Sequence, residues 1–416
     1  MSDAIPFAPH EPSAIARIHA QLAAGAASDV SQFWRDVALV RVPLSAAVKG
    51  DSNQREVTFL WRSAEPLQGV YVRLNRITDK KSVAKGLMTP LPASDVWFLT
   101  LRLPASYCGS YTIVEIPDGT GSEQIAQLGS RFSPLSGQAD PLNLAAGINV
   151  RGLEESLLAL DRAPHQREWA TQSAPVRGTL SSSYSRVAGH QRRIRLYLPD
   201  VPVSEPLGLL VVPDAEIWFE RLGLPAAIDH GISSGRLGPL AVLGVDNLDG
   251  SDRNTLLGGR KALVLDIAQR LVPQLRIAYP DRVWAGREKT VFAGQSLGGV
   301  TAFMAALYAP DTFGCVLSHS PSMWWTPDES KPPSMFSEGA KSWVSEQVLA
   351  MPPDTVRVQL CVGSLEGATV AHVEQLHMRL VAAGVESEMS IYTGGHDYAW
   401  WRGALIEGLA NVYAQV

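Results

Sequence analysis

The sequence predicts an α/β fold with a mostly parallel sheet, preceded by a small all-β sandwich. Three observations carry that prediction. Before residue 120, short runs rich in Val, Trp, Phe and Tyr recur with alternating polarity, as half-buried strands do. After about residue 180 several runs become continuously apolar, as expected for strands covered on both faces. Helical segments separate those later runs, and strand–helix alternation builds a parallel sheet. The chain has 416 residues, of which 46% are hydrophobic, enough for two or three domains with sizeable cores.

In order, residues 1 to 30 read as a helical, Ala-rich lead-in. Val57–Trp61, Val70–Leu74, Val96–Leu103 and Tyr111–Ile116 are the sandwich strands. No acid–base constellation stands out among them, so this region is expected to pack against or cover a site. Asp118–Gln138, with its GTGSEQ and SPLSGQ stretches, reads as linker. The expected division is a sandwich over 1–150, a linker over 151–180 and the α/β domain over 181–416. Strands follow at Arg193–Leu198, Leu207–Pro213, Leu240–Asp246, Lys289–Ala293, Cys315–Ser320, Val356–Val362 and Glu388–Thr393. Lys261–Tyr279 has apolar residues at mostly helical spacing and a kink predicted at Pro273. Helix Val300–Ala309 ends at Pro310, and Val370–Ala382 ends at Gly384, a C-cap residue.

Composition narrows the function. Lys+Arg 36 against Asp+Glu 41 leaves a net charge of −5, the wrong sign for bulk binding to nucleic acid or an anionic membrane. Cys108, Cys315 and Cys361 are far apart with no CxxC, which excludes a disulfide framework or a cysteine zinc site. The N-terminus lacks a basic n-region, and no run reaches the ~18–20 apolar residues needed to cross a bilayer. A reducing cytoplasm is the expected location.

Gly294-Gln295-Ser296-Leu297-Gly298 is a GxSxG pentapeptide between the strand Thr290–Ala293 and a helix. That context places Ser296 on a sharp strand-to-helix turn, with its hydroxyl above the sheet's carboxyl edge. The two glycines are expected to relieve crowding in the turn. The backbone N–H of Leu297 becomes one oxyanion donor. A serine of ordinary pKa needs a base. On an α/β-hydrolase fold the order is Ser, acid, His, with the histidine after the last strand. His396, in Gly394-Gly395-His396-Asp397, fits. His319 ends the strand after the elbow helix and is read as structural or substrate-facing. His372 and His377, five residues apart, lack the spacing of a zinc helix. Glu366 is the first carboxylate after Val356–Val362 and the candidate acid; Asp328, Asp354 and Asp397 compete, and an acid-free dyad stays open. The backbone N–H of Glu216, in Val212-Pro213-Asp214-Ala215-Glu216, is the candidate second oxyanion donor. Arg253 lies at the carboxyl edge, where it orients an anionic or phenolate group or pairs with Asp249 or Asp252. Trp324-Trp325 and Trp400-Trp401 flank the strand ends; they stack on flat rings or pack as core, with at least one of each pair structural.

These segments resemble the enterochelin (enterobactin) esterase family, esterase D-like α/β-hydrolases. The resemblance rests on AGQSLGGVTAFMAALYAPDTFGCVLSHSPSMWW (293–325) and GGHDYAWWRGAL (394–405), supported by VVPDAEIWF (211–219), FWRDV (33–37) and VTFLWR (57–62). It implies an immunoglobulin-like N-terminal sandwich and cytoplasmic hydrolysis of the trilactone of a catecholate siderophore. It supports Ser296, His396 and Glu366 as nucleophile, base and acid. It also implies that Arg253, matching the arginine of the family's RxxEL segment, meets catecholate; Trp324, Trp325 and Trp400 are the candidate substrate-binding aromatics read from their place at the strand ends. Iron then enters only as part of the substrate, with no resident metal or other cofactor. Two positions depart from the family pattern: Leu256 stands where glutamate is usual, and Ala215 where glycine is usual. Rival readings are a feruloyl or S-formylglutathione esterase on the same fold, or a siderophore- or carbohydrate-binding protein without catalysis.

Overall fold

The computed structural model describes residues 11–27, 29–130, 133–145, 147–150, 152–171, 175–328 and 336–414. The first ten residues of the expected lead-in lie outside that set. Contacts divide the chain into two units: Met1–Pro164 with Thr393–Ala399, and His165–Tyr392 with Trp400–Val416.

In the first unit, β1 (Leu44–Val48), β2 (Asp51–Arg62), β3 (Leu67–Leu74), β4 (Thr89–Pro90), β5 (Val96–Pro104), β6 (Cys108–Pro117), β7 (Ile148–Asn149) and β8 (Glu154–Ala159) form two antiparallel sheets. Their orders are β1-β2-β5-β4 and β3-β6-β8-β7. Phe59 on β2 meets Tyr111 on β6 edge-on, with ring centroids 5.0 Å apart, so inward aromatics from both sheets share the core. Leu60 points the other way and is buried as well. It joins Leu44 and Val96 in a cluster with Ile18, Leu22, Phe33 and Val37 of helices Glu11–Ala24 and Val30–Val37. The lead-in therefore covers the outer face of the first sheet, and the Arg17 guanidinium holds the buried Asp36 carboxyl below its ordinary range.

Asp118–Gln138, expected as linker, is an excursion within this unit. It contains helix Ser122–Ala126, and Gln138 pairs back with Ile113 on β6. Residues 151–180, also expected as linker, contain β8, which pairs with β6. Both stretches are rich in turn residues, which mark excursions inside a domain as well as boundaries between domains.

The second unit is an eight-stranded sheet of β9 (Thr179–Val187), β10 (His190–Leu198), β11 (Gly208–Pro213), β12 (Leu240–Val245), β13 (Thr290–Gln295), β14 (Cys315–His319), β15 (Arg357–Gly363) and β16 (Ser387–Tyr392). Its order is β16-β15-β14-β13-β11-β12-β10-β9. Only β10 and β9 run antiparallel to their neighbours. Every residue of β11, β12, β13 and β14 is buried, which explains their unbroken apolar runs. β9 was not legible: TLSSSYSRV is exposed over seven of its positions and is held by its ladder to β10. The segment around Pro273 stays helical across a π-turn, Ile267–Leu271. The proline ring would crowd the carbonyl of Gln269, four residues back, and the wider turn at that carbonyl absorbs it.

The chain places β12 on one side of β11 and then β13 on the other. That reversal is a topological switch point, and it opens a crevice at the carboxyl ends of β11 and β13. Among the described residues, no helix is long and apolar enough to cross a membrane.

Phe292 on β13 is fully buried and meets Phe313 edge-on at 5.4 Å. Phe292→Ala should cost about 3–5 kcal/mol of unfolding free energy, read by urea denaturation of the transition carrying this unit. A loss under about 1 kcal/mol would mean the site repacks.

Candidate active site

Ser296 begins the turn from β13 into helix Leu297–Tyr308 with φ +59° and ψ −120°. A non-glycine residue in that region costs on the order of 1–3 kcal/mol and persists only when its surroundings fix it. Backbone hydrogen bonds on both sides of the residue do so. The Ser296 N–H donates to His319 O at 2.9 Å, and the Ser296 carbonyl accepts from Ser322 N–H at 3.0 Å and Gly299 N–H at 3.1 Å. The hydroxyl is half-buried, 3.3 Å from Ser322 Oγ. Leu297 is the first helical residue, so its N–H has no intrahelical acceptor and points the helix's positive end at the turn.

The two motif glycines are not equivalent. A Cβ on Gly294 would lie 2.2 Å from the Gly298 carbonyl oxygen, whereas one on Gly298 meets nothing nearer than Pro213 Cγ at 3.4 Å. The second crowded glycine is Gly299, where a Cβ would lie 3.0 Å from His319 O and Pro321 Cα.

Across the crevice, Asp214 follows β11 with φ +56° and no exposure. Its carboxylate accepts from Gln295 Nε2 at 2.7 Å and Asn247 Nδ2 at 2.6 Å. It also takes Arg253 bidentately, through Nε at 2.7 Å and Nη2 at 2.9 Å. The Arg253 ion pair is thus with Asp214, and neither Asp249 nor Asp252 is its partner there. Asp249 caps helix Gly250–Leu256, and Asp252 pairs with Arg192. Glu216 is held by Asn247, through its N–H at 3.0 Å and Nδ2 at 2.8 Å; burial and the nearby Asp214 charge raise its carboxyl above the ordinary range.

Both family departures are absorbed locally. Ala215 has right-handed helical φ and ψ, so that conformation does not require glycine. Its methyl faces Gly244, where an added Cβ would come within 2.5 Å of it. Leu256 is buried in the main hydrophobic cluster.

Glu366 follows β15 and is buried. Its Oε1 accepts from Gly363 N–H at 2.9 Å and from Ser320 Oγ. Ser320, at φ +43°, is fixed in turn by its N–H on Cys361 O at 2.7 Å and by Trp401 Nε1–H donating to its Oγ at 2.9 Å. Of the competing acids, Asp354 precedes β15 and sits at the wrong end of the strand, and Asp328 lies in the exposed stretch after Trp325.

Trp325 and Trp400 are packing groups. Trp325 meets Trp343 edge-on at 4.9 Å and fills the space left by Gly258 and Gly259. Trp400 is 1% exposed and stacks on Tyr392 at 4.8 Å. Trp324 keeps part of its surface open. His319 is buried, and burial pushes its imidazole down to about 4. His372 packs on Phe336, and His377 bonds Ser387 Oγ at 2.9 Å, so neither faces the crevice chemistry.

His396 lies in the segment Thr393–Ala399, which belongs to the first unit. Its N–H donates to Asn75 Oδ1 at 2.8 Å. Next to it, the Asp397 carboxylate accepts from Ser110 N–H at 2.7 Å, Ser110 Oγ at 2.9 Å and Ala399 N–H at 2.8 Å. Asn75, Asp214, Ser320 and Ser322 escaped the sequence reading. Ser320 and Ser322 carried a signal, since SHSPS runs off the end of the strand beside the elbow; Asn75 carried none. Among the described residues, no cluster of three or more His, Cys, Asp or Glu could hold a metal ion.

The family described as putative esterase matches residues 185–412, and the one described as enterochelin esterase, N-terminal, matches residues 56–169. The chain is 57% identical over 399 residues to the iron(III) salmochelin esterase of Escherichia coli O6:H1, covering 96% of this chain and 97% of that protein. It is 30% identical over 414 residues to the iron(III) enterobactin esterase of Dickeya dadantii, covering 90% and 91%. The crystal structure of ferric enterobactin esterase from Salmonella typhimurium superposes with a TM-score of 0.77 at 26% identity, covering 89% of this chain and 96% of that one.

Two outcomes follow from this geometry. Gly294→Ala should abolish folding or activity, while Gly298→Ala should fold with a melting temperature near that of the wild type; equal damage from both would refute the steric assignment. His319, neutral when folded, favours folding fully above its unfolded pKa of about 6.5. That contribution is lost as pH falls towards about 4. The loss is on the order of 3 kcal/mol. Urea denaturation between pH 7 and 4 should show a shallower pH slope in His319→Asn; an unchanged slope would show that His319 is not the group.

Proposed function

The chain belongs to the enterochelin esterase family of α/β-hydrolases, and from that premise we propose that it hydrolyses the ester bonds of a ferric catecholate siderophore, releasing iron in the cytoplasm. The observation that carries the proposal is the strained Ser296 elbow at the switch point. The 57% likeness to an iron(III) salmochelin esterase over nearly the whole chain supports the substrate class.

In the proposed reaction Ser296 Oγ attacks a lactone carbonyl while His396 takes its proton. The N–H of Leu297, and that of Glu216 as second donor, hold the oxyanion. His396 then protonates the leaving alkoxide, giving an acyl-enzyme, and water activated by the same imidazole releases the acid. Glu366 is the acid that orients His396; Ser320 Oγ and Gly363 N–H hold its Oε1 in place. Arg253 meets an anionic catecholate. Asp214 fixes the plane of the guanidinium and offsets its charge, so Arg253 acts by orientation more than by long-range attraction. Trp324 is the tryptophan with surface left to stack on an aryl ring. No resident metal takes part, and iron arrives as cargo.

Wild type and Ser296→Ala should be incubated with ferric enterobactin and with ferric salmochelin, and linear trimer, dimer and monomer followed by chromatography. Product is expected from the wild type, with Ser296→Ala slower by on the order of 10⁴–10⁶-fold. Product from both at similar rates would remove Ser296 as nucleophile. No product from either would sink the siderophore reading.

A further inference from the structure

The turn that follows β3 is rigid, and it faces the His396 segment. Thr78 Oγ1 accepts from Leu74 N–H and donates to Val72 O, both at 2.7 Å. The N–H groups of Ile77 and Thr78 both reach Leu74 O, and the Asp79 carboxylate accepts from Arg76 N–H at 3.0 Å. Arg76 takes the left-handed conformation, at φ +63°, that closes the turn. This frame aims the Asn75 amide oxygen at the His396 N–H, 2.8 Å away. The approach is close: a Cβ on Gly395 would lie 2.4 Å from that oxygen and 2.9 Å from Arg76 Cγ.

The same segment is tied on both sides. Cys108 N–H donates to Thr393 O at 2.9 Å, Ser106 Oγ pairs with Thr393 Oγ1 at 2.8 Å, and Ser110 holds Asp397. Asn75 and His396 line a polar cleft of about 50 Å³ together with Arg73, Thr112, Glu155 and Tyr398. The histidine is thus anchored at its main chain and lies beside a cavity large enough for a few waters.

We propose that Asn75 is a positioning residue for His396, so that the N-terminal sandwich contributes to ester hydrolysis by fixing the base. The proposal rests on His396 being the base of the proposed reaction. The Asn75 amide oxygen suits the task because it accepts from the backbone N–H and so fixes the main chain that carries the imidazole. A misplacement of about 1 Å in a catalytic group can cost a hundredfold in rate.

The test compares full-length wild type, Asn75→Ala, Asn75→Asp, Gly395→Ala and Ser296→Ala. Readouts are thermal melting, the rate at which a fluorophosphonate labels Ser296, and kcat and KM on the ferric siderophore ester. Asn75→Ala should lower kcat and labelling by about 10- to 100-fold, with KM within about twofold and an unchanged melting temperature. Asn75→Asp keeps an acceptor oxygen at the same reach and should recover most of the loss. Gly395→Ala, which pushes the same contact apart from the other side, should slow turnover as Asn75→Ala does. Labelling and kcat of Asn75→Ala equal to wild type would overturn the proposal and leave the esterase reading standing. So would an Asn75→Asp variant as slow as Asn75→Ala. Wild type labelled no faster than Ser296→Ala would instead bring down the serine-esterase reading, and this proposal with it.

Discussion

The backbone of Ser296 sits where an L-residue is strained, and the C-terminal sheet is what holds it there. The strain holds because the turn is over-determined. His319 O takes the amide, Ser322 and Gly299 supply amides to the carbonyl, and Gly294 leaves room for Gly298. The contacts to His319 and Ser322 require β13 and β14 to lie side by side in register, with Gln295 opposite His319. The conformation is local, but its support comes from neighbouring strands. This is the physical reason a pentapeptide motif is informative only inside a strand–turn–helix context.

The carboxylate of Asp214 is the second node. It is fully buried, which would be costly for an isolated charge. Its acceptor capacity is taken up by Gln295, Asn247 and Arg253, from the ends of β13 and β12 and the helix that follows. One ion pair with two amide donors thus joins three carboxyl-end loops at the switch point. Glu216, buried and close to the same charge, has its protonation favoured by burial first and by Asp214 second. The crevice floor is polar and nearly charge-balanced, which suits orienting a substrate more than drawing one in from a distance.

Sequence periodicity made the parallel sheet legible because its strands are buried on both faces, and it made the sandwich legible because its strands alternate. It could not show β9, whose exposed serines and tyrosine carry neither pattern and which exists through its ladder to β10. The candidate nucleophile Ser296, candidate base His396 and candidate acid Glu366 were named from motif and chain order. Partner choice was not legible. Arg253 had two nearby acids in sequence, yet its carboxylate lies 39 residues away at Asp214, because β11 and β12 end side by side. The contact between Asn75 and His396 spans 321 residues and involves a backbone N–H, which leaves no trace in residue type at one end.

The two departures from the family pattern bear on which features set the chemistry. Ala215 adds a methyl at a position with ordinary helical dihedrals, and Gly244 opposite gives it room. Leu256 turns inward, into the same hydrophobic cluster as Trp325, where a glutamate would bury a charge and need a partner. Both changes therefore fall on the packing side of their loops. The polar atoms at the strand ends are fixed by other residues: Asp214 and Arg253 by each other and by Asn247 and Gln295, Glu366 by Ser320 and Gly363. A loop whose polar geometry is set by buried hydrogen bonds can change its apolar contacts without moving its donors, since breaking one such bond costs more than repacking a methyl group.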